Sequence, residues 1–295
     1  MIETTDVKEK IFKLALKAGF CEAKILSGTE RFEPPASANT RRRINSPTML
    51  VTALPYGNDS EETPSSQSEL SGAVIAPFAR KNYYREAVQR LQKLSQIFRK
   101  RFGGTKADYR VFCNSPAPEK LLAAACGLGT IGRNSLVITR SAGSLVVIAA
   151  MTLPYPLDGD PALAANPCRN CAACVSACPT GAARGDGSID RLRCIQWYAS
   201  GNEDTVPPRI AAKWGRTLYG CTFCQDVCPH NQRPIEGTKT EIGVLPPSVD
   251  PLKLLAMTDQ EIRAFFKGSA MGFSWLKPQH IRRNAALVLR ESESP

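Results

Sequence analysis

Eight of the eleven cysteines fall in one part of the chain, and their thiols are the side chains best suited to chemistry. They are Cys168, Cys171, Cys174, Cys178, Cys194, Cys221, Cys224 and Cys228. Cysteine thiolates bind zinc and the irons of iron–sulfur clusters. A secreted disulfide scaffold would be a smaller chain with an export signal, and the first residues, MIETTDVKEK, contain no apolar segment of that kind. The clustering therefore favours metal binding in a cytoplasmic protein.

The spacing of these cysteines predicts two [4Fe–4S] clusters. The first run is C-x2-C-x2-C-x3-C-P, ending at Pro179, and the second is C-x2-C-x3-C-P, ending at Pro229. In the bacterial ferredoxin pattern, three cysteines of such a run bind one cluster and the fourth binds the other cluster. The predicted ligands are Cys168, Cys171, Cys174 and Cys228 for one cluster, and Cys178, Cys194, Cys221 and Cys224 for the other. Two zinc sites with four cysteines each are the alternative.

The remaining cysteines and the two histidines lie outside these ligand sets. Cys21, Cys113 and Cys126 stand alone, His230 follows the second Cys-Pro pair, and His280 lies in a basic C-terminal segment. We expect structural or surface roles for both histidines. An isolated cysteine commonly behaves as a small buried apolar residue.

Hydrophobic periodicity predicts a mixed domain ahead of the cysteines and few regular elements among them. Helices are predicted over residues 6–19, 82–102, 118–126 and 258–267, and strands over 47–56, 109–113, 136–139 and 144–153. Alternating strands and helices favour an α+β fold with a central sheet, followed by a ferredoxin-like module. We predict a reductase domain over residues 1–157, a two-cluster module over 158–240, and a C-terminal helical segment over 241–295 that packs on the first domain.

The chain is basic, with a formal net charge of +11. Basic residues cluster at 41–43, 99–101 and 282–283. A nucleic acid, an acidic electron donor or an anionic small molecule would complement this charge, and solvated surface is the alternative. Part of the surplus would offset the negative charge of thiolate-bound clusters. The most apolar stretch, Leu145–Met151, is far shorter than the roughly 20 residues that span a bilayer, so no membrane partner is expected.

Three segments together resemble the epoxyqueuosine reductases, which are cobalamin-dependent iron–sulfur enzymes of tRNA queuosine synthesis related to the reductive dehalogenases. The segments are CRNCAACVSACPTGAA (168–183), YGCTFCQDVCPHN (219–231) and GLGTIGRNSLVITRSAGS (127–144). The resemblance extends from about residue 50 to residue 290. The chain ends at Pro295, soon after Arg282 and Arg283, and so resembles a short member without the family's C-terminal tRNA-binding repeats.

The resemblance implies a base-off cobalamin, without a protein histidine ligand, in the N-terminal domain. Electrons would pass from an external donor such as ferredoxin or flavodoxin through the two [4Fe–4S] clusters to the cobalamin, which would reduce the substrate. A tRNA is the implied macromolecular partner. The candidate cobalamin-binding residues are Tyr83, Gly127, Gly129, Thr130, Ile131, Gly132, Arg133, Asn134 and Ser135.

The sequence departs from the family at the position of its proton donor. The family has an aspartate six residues before a glutamate, and counting back from Glu119 places Cys113 there, or Asn114 with a one-residue gap. The family's tryptophan in the glycine-rich loop is Thr130, and its Arg-Asp-Tyr-His segment is residues 81–84, KNYY. Cys113 and Asn114 are therefore the catalytic candidates, with a buried structural thiol as the alternative for Cys113.

Four functions remain open at this point. The first is reduction of epoxyqueuosine in tRNA, and the second is reduction of a different substrate with Cys113 in place of the acid. The third is a ferredoxin-type electron carrier without catalysis. The fourth is a tRNA-binding module, whose binding would weaken with salt because phosphate contacts release counterions.

Overall fold

The computed structural model describes residues 4–29, 46–57, 72–115, 117–233 and 235–292. The basic cluster at 41–43 and most of the polar segment at 57–72 lie outside the described residues. The described chain divides into two compact units. The first takes the residues up to 55 together with 84–132 and 136–169, and the second takes 56–83, 133–135 and the residues from 170 onward.

The first unit is built on a four-stranded antiparallel sheet. Its strands are β1 Glu22–Ser27, β2 Thr48–Pro55, β4 Val111–Cys113 and β7 Val146–Leu153, in the order β1-β2-β7-β4. Strands β2 and β7 pair along their whole length, from Thr48 opposite Leu153 to Pro55 opposite Val146. β2 is buried at nearly every position because it lies at the centre of the sheet and both faces are covered.

Three helices and a two-stranded ribbon complete the first unit. The helices are α1 Thr4–Lys17, α3 Tyr83–Phe102, whose first residue falls in the second unit, and α4 Glu119–Ala125. In α3, Ala87, Leu91, Leu94 and Phe98 are buried at the three- and four-residue spacing of one helix face. The ribbon pairs β5 Thr130–Ile131 with β6 Val137–Ile138.

The second unit has short elements. Its sheet has the order β8-β3-β9, from β3 Ala73–Ile75, β8 Thr217–Tyr219 and β9 Ser248–Val249, and β3 runs parallel to β8. Its helices are α2 Pro77–Arg80, α5 Ala173–Ser176, α6 Ile195–Ala199, α7 Pro208–Ala211, α8 Phe223–Asp226, α9 Pro251–Ala256, α10 Asp259–Phe265 and α11 Pro278–Ser292. No helix in the described part of the chain is long and apolar enough to cross a membrane.

The mixed fold confirms the fold class predicted from the sequence. The predicted helices over 6–19, 82–102, 118–126 and 258–267 correspond to α1, α3, α4 and α10. The predicted strands correspond to β2, β4, β6 and β7, whereas β1, β3, β5, β8 and β9 were not predicted. The three-part division of the chain stays a prediction. Residues 241–292 belong to the second compact unit, where α11 packs against α9, β8 and α6.

The C-terminal basic pair is held by the protein itself. The Arg283 guanidinium donates to the main-chain oxygens of Tyr198, at 2.5 Å, and Asp204, at 3.0 Å. Arg282 donates to Asp259 Oδ1 at 2.6 Å and to the Met257 main-chain oxygen at 2.7 Å. These contacts favour a structural role for both arginines over a phosphate-binding role.

His280 is also structural, as expected. Its side chain is buried, the Lys277 main-chain N–H donates to Nδ1 at 3.2 Å, and Nε2 lies 2.8 Å from Asp204 Oδ1. Because Nδ1 accepts a hydrogen bond, the neutral ring carries its proton on Nε2 and donates it to Asp204.

Candidate functional site

From Cys171 and Cys221 onward, the two cysteine runs fold alike within the second unit. After Cys171 the first run forms the one-turn helix α5, and after Cys221 the second run forms the one-turn helix α8. Each run then ends in a Cys-Pro pair. Cys174 and Cys224 lie within these helices, and α5 and α8 pack against each other. The proline after each run suits the end of such a loop because its φ is constrained.

Five thiols from three separate segments interact in the second unit. Cys221 is in electrostatic contact with Cys224, Cys194 and Cys178, and Cys224 with Cys194, Cys174 and Cys178. Cys194 follows a 3₁₀ turn, Arg191–Arg193, in which the Leu192 N–H donates to Asp190 Oδ1 at 3.1 Å. The fourth cysteine of the first run is therefore near the second run and Cys194, as the exchange of ligands between two clusters requires.

Burial and hydrogen bonds shift the thiol pKa values in opposite directions. Burial and the neighbouring thiols raise the pKa of Cys221, and they raise the pKa of Cys224 to about 12. Burial also acts to raise the pKa of Cys178, but hydrogen bonds from Ala183, Thr180 and Ala182 together bring it below its usual value. The Ala182 main-chain N–H donates to Cys178 Sγ at 3.2 Å.

A single zinc ion and a cubane cluster require different placements of their cysteine ligands. No group of three cysteine, histidine, aspartate or glutamate side chains in the described ranges is placed to hold one metal ion. A tetrahedral zinc site needs its ligands gathered within about 2.3 Å of one point. A [4Fe–4S] cluster is larger and binds its four thiolates on separate irons, so its ligands need no such convergence.

The catalytic candidates lie at the end of β4 in the first unit. Cys113 pairs with Ala149 of β7, and Asn114 follows with a left-handed φ of 49°. Burial, with a further contribution from the Glu119 carboxylate, raises the pKa of Cys113 to about 12. The N–H and Oγ of Ser115 both donate to Glu119 Oε1, at 2.9 and 2.8 Å. Sequence reasoning used Glu119 only as a marker for counting and missed this carboxyl group.

Packing within the first unit accounts for the glycines of the glycine-rich loop, residues 127–132. Gly127 has a φ of 68°, and a Cβ there would collide with the Pro161 main-chain oxygen. A Cβ at Gly129 would come within 2.6 Å of a Val137 methyl carbon. Gly132 donates its N–H to the Leu136 main-chain oxygen at 2.8 Å. The glycines alone are therefore not a sign of a flat cofactor.

Thr130 is the residue of this loop that best fits a bound group. Its Oγ1 is buried and has no hydrogen-bond partner among the described residues. A buried hydroxyl without a partner costs free energy unless a ligand or water meets it. Ile131, its neighbour in β5, is partly buried. An amide-bearing ligand such as a corrinoid would satisfy the Thr130 hydroxyl.

The other cobalamin candidates belong to the second unit and already have protein contacts. Asn134 Nδ2 donates to the Cys224 main-chain oxygen at 3.4 Å, and the buried Tyr83 donates its hydroxyl to the Tyr56 main-chain oxygen at 3.4 Å. Ser135 has a φ of 65°, and Arg133 is partly buried. Gln225, next to Cys224, donates Nε2 to the Tyr56 hydroxyl at 2.8 Å. Sequence reasoning missed this Tyr56–Gln225 pair.

Comparison with known proteins identifies the cysteine region. Residues 167–231 match the 4Fe-4S double cluster binding domain. The chain is 32% identical to an epoxyqueuosine reductase of Synechococcus sp. (strain CC9605) over 256 residues, which cover 81% of this chain and 73% of the relative. It is 35% identical to the Pseudomonas aeruginosa epoxyqueuosine reductase over 153 residues, which cover 52% of this chain and 42% of the relative.

Solved structures share the fold. The structure of epoxyqueuosine reductase from Streptococcus thermophilus superposes with a TM-score of 0.83 at 20% identity, covering 98% of this chain and 82% of that one. An epoxyqueuosine reductase solved with a tRNA-Tyr epoxyqueuosine-modified stem loop gives a TM-score of 0.78 at 22% identity, covering 97% and 82%.

The mixed fold and the double-cluster domain define an iron–sulfur protein with two [4Fe–4S] binding sites. The match to the Synechococcus relative, at 32% identity over 81% of this chain, identifies the family. The chain belongs to the epoxyqueuosine reductase family. The matched region spans 42% of the Pseudomonas relative and 55% of the Escherichia coli relative, so it represents part of their length.

Proposed function

We propose that the chain is an oxidoreductase of the epoxyqueuosine reductase type, dependent on two [4Fe–4S] clusters and a corrinoid. One observation carries this proposal: Cys178 and Cys194 interact with Cys221 and Cys224, although the four residues come from three separate segments. An isolated structural site does not need this exchange, whereas two neighbouring clusters in an electron path do.

The eight cysteines are the proposed cluster ligands in two sets. Cys168, Cys171, Cys174 and Cys228 would bind one cluster, and Cys178, Cys194, Cys221 and Cys224 the other. A low-potential protein donor such as a ferredoxin or a flavodoxin would supply electrons one at a time. The basic charge of +11 suits an acidic donor of this kind. We expect the protein to act in the cytoplasm, where such donors occur.

The corrinoid-binding residues are proposed from the loop that follows α4 and from Tyr83. When bound, a base-off cobalamin would supply a low-valent cobalt as the reductant of the substrate. Thr130 would donate its hydroxyl to the corrinoid, and within the second unit Asn134 would keep residues 133–135 beside Cys224 through the hydrogen bond to its main-chain oxygen. The further proposed cobalamin-binding residues are Gly127, Gly129, Ile131 and Gly132 in the first unit, and Arg133, Ser135 and Tyr83 in the second.

The proposed substrate is epoxyqueuosine in tRNA, after the names of the relatives. Cys113 and Asn114 would line the reaction site at the end of β4. A different reducible substrate is the second candidate, because Cys113 stands where the relatives are expected to have an acid. The two candidates share cofactors and differ only in what reaches the end of β4.

Anaerobic reconstitution tests the cofactor part of the proposal. We expect about eight irons per chain, from two four-iron clusters, and one tightly bound corrinoid. Cys194→Ala should retain about four irons, while the matched control Cys126→Ala, which replaces a buried cysteine outside the ligand sets, should retain about eight. Full iron loading without corrinoid uptake would instead support a ferredoxin-type electron carrier.

Turnover with an epoxyqueuosine-containing tRNA stem loop tests the substrate. The reconstituted protein, supplied with a reduced ferredoxin or flavodoxin, should convert the epoxide to the alkene. A protein that binds both cofactors and is reduced but leaves this RNA unchanged acts on a different substrate. A protein that binds the RNA without both cofactors would support the tRNA-binding module.

A further inference from the structure

A carboxyl group is fixed beside Cys113 by the turn that follows β4. Asn114 has a left-handed backbone, and the next residue, Ser115, directs both its N–H and its hydroxyl to Oε1 of Glu119. The Ala117 N–H in turn donates to Ser115 Oγ at 3.2 Å, which holds the serine in place. The turn therefore positions one oxygen of Glu119 through two hydrogen bonds.

The second oxygen of this carboxyl group receives neither of the Ser115 hydrogen bonds. Both Ser115 donors go to Oε1, and the main-chain N–H of Glu119 itself adds a weaker hydrogen bond to the carboxyl group. A carboxylic acid whose one oxygen accepts two hydrogen bonds carries its proton on the other oxygen. Protonated Glu119 would therefore hold its proton on Oε2.

The electrostatic environment separates the roles of Glu119 and Cys113. Burial raises the pKa of Glu119 above its usual value, against the lowering effect of the Ser115 hydrogen bonds. Burial also raises the pKa of the Cys113 thiol, to about 12, with a smaller contribution from the charge of Glu119. A general acid works best when its pKa is near the operating pH, and the shifted carboxyl is closer to that condition than the thiol.

We propose that Glu119 supplies the proton in the reductive step, with Ser115 holding Oε1 so that the acidic proton lies on Oε2, and that Cys113 is not the donor. This inference rests on the proposed function, in which an oxygen leaves carbon at the end of β4. It goes beyond that function because it assigns the acid to a residue outside the position of the family's aspartate.

The proton balance of the step is simple. Reduction of an epoxide to an alkene takes two electrons from the reduced protein donor and two protons, breaks both C–O bonds, forms the C=C bond and releases water. The O–H bond of Glu119 breaks as its proton moves to the leaving oxygen. The carboxylate regains a proton from water before the second transfer.

Few other titratable groups surround Glu119. Helix α4 packs against β1, β2, β5, β6 and β7. Of these strands only β1 has charged residues, Glu22 and Lys24, and neither contributes to the shift in the pKa of Glu119. On α4 itself Lys120 directly follows Glu119, and Cys126 follows the far end of the helix, while Cys113 is coupled electrostatically to Glu119 from the end of β4. A pH dependence of turnover that arises beside the end of β4, well below the pKa of Cys113, can therefore be assigned to Glu119.

The chain has a matched control for substitution of Glu119. Glu22 Oε1 also accepts two hydrogen bonds from one serine, the N–H and the hydroxyl of Ser141, both at 2.7 Å. Glu119→Gln and Glu22→Gln thus make the same chemical change in the same hydrogen-bonding arrangement. Only Glu119 lies beside the end of β4.

The main experiment measures turnover of the epoxyqueuosine stem loop by the reconstituted variants. Glu119→Gln should lower kcat by about 10²- to 10⁴-fold, the usual range for loss of a general acid, with iron content and cluster reduction unchanged. Glu22→Gln should turn over as the unsubstituted protein does. Unchanged turnover of Glu119→Gln, or an equal loss in both variants, would overturn the proposal.

A second variant keeps the carboxyl and changes only its support. The unsubstituted protein should lose activity as pH rises above the pKa of Glu119, because the acid form is needed. Ser115→Ala removes the hydroxyl donor that lowers this pKa, so the decline should move to higher pH. A profile whose decline does not move would count against Glu119.

Infrared difference spectroscopy gives a readout that needs no substrate. The protonated carboxyl band of Glu119 should persist in the unsubstituted protein to a pH above the ordinary range for a carboxyl group, disappear on further alkalinisation and be absent from Glu119→Gln. If the stem loop is not reduced although both cofactors are bound, the proposed substrate fails, and this titration alone decides the state of Glu119. A carboxyl that ionises in the ordinary range, near 4.3, would overturn the inference.

Discussion

The main-chain N–H of Ala182, four residues after Cys178 in the chain, donates to Sγ of Cys178 at 3.2 Å. Hydrogen bonds to sulfur stabilise thiolate charge and help to set the reduction potential of an iron–sulfur cluster. Cys178 also interacts electrostatically with Cys221 and Cys224. A backbone donor just after the first cysteine run therefore acts on a thiol that interacts with the second run.

Replacement of Cys178 should remove one cluster and leave the other. We expect Cys178→Ala to retain about four irons per chain after anaerobic reconstitution, because the second ligand set loses one of its four thiolates. The control is Cys21→Ala, since Cys21 bonds to the Ala53 main-chain oxygen in the first unit and belongs to neither set. Iron analysis and the electron paramagnetic resonance of the reduced protein measure the result. Full iron content in Cys178→Ala would refute the ligand assignment.

Gly127 should be required for packing even without a cofactor. Gly127→Ala and Gly103→Ala both place alanine at a left-handed φ, but only the first adds a collision, with the Pro161 oxygen. The first variant should therefore lose about 1–3 kcal/mol more in the free energy of unfolding, the usual cost of overpacking. Urea denaturation of the apoproteins measures the difference. Equal losses would mean that the glycine serves a ligand instead.

Arg283 should contribute to stability through its planar guanidinium. Its donors reach main-chain oxygens of Glu203, Asp204 and Tyr198, and a lysine ammonium cannot reproduce that fork. Arg283→Lys should cost about 1.5–3 kcal/mol, as for a lost hydrogen bond to a charged group. The control is Arg209→Lys on α7, an exposed position that should change stability by less than about 0.5 kcal/mol. Thermal unfolding measures the stability of both variants. An equal loss of stability in the two would mean that the Arg283 hydrogen bonds contribute little.

The Cys113 thiol should stay protonated well above neutral pH. Since its pKa is raised to about 12, mainly by burial, alkylation by iodoacetamide should keep increasing above pH 9 rather than level off. The raised pKa favours folding below the unfolded pKa of about 8.5, and this contribution is lost as pH rises toward the folded pKa. Cys113→Ser should therefore lose less stability between these pH values. Mass spectrometry follows the alkylation, and a plateau near pH 9 would contradict the predicted burial effect.

Local sequence patterns predicted the larger elements well. The apolar spacing in α3 and the continuous apolar run in β2 identify their structure because burial on one helix face or in a central strand demands those residues. Strands β8 and β9 were missed because they are two or three residues long and have no periodicity to detect. Their pairing with β3 depends on residues far away in the chain.

The sequence by itself determined the cofactor class and the family. C-x2-C-x2-C-x3-C-P is local information, since three thiolates on one short loop must reach the same cluster. Only the tertiary structure decided the environment of the acid, because burial and hydrogen bonding of a carboxyl group depend on the elements packed around it. Counting along the chain directed attention to Cys113, whereas the turn after β4 and the Ser115 hydrogen bonds direct it to Glu119.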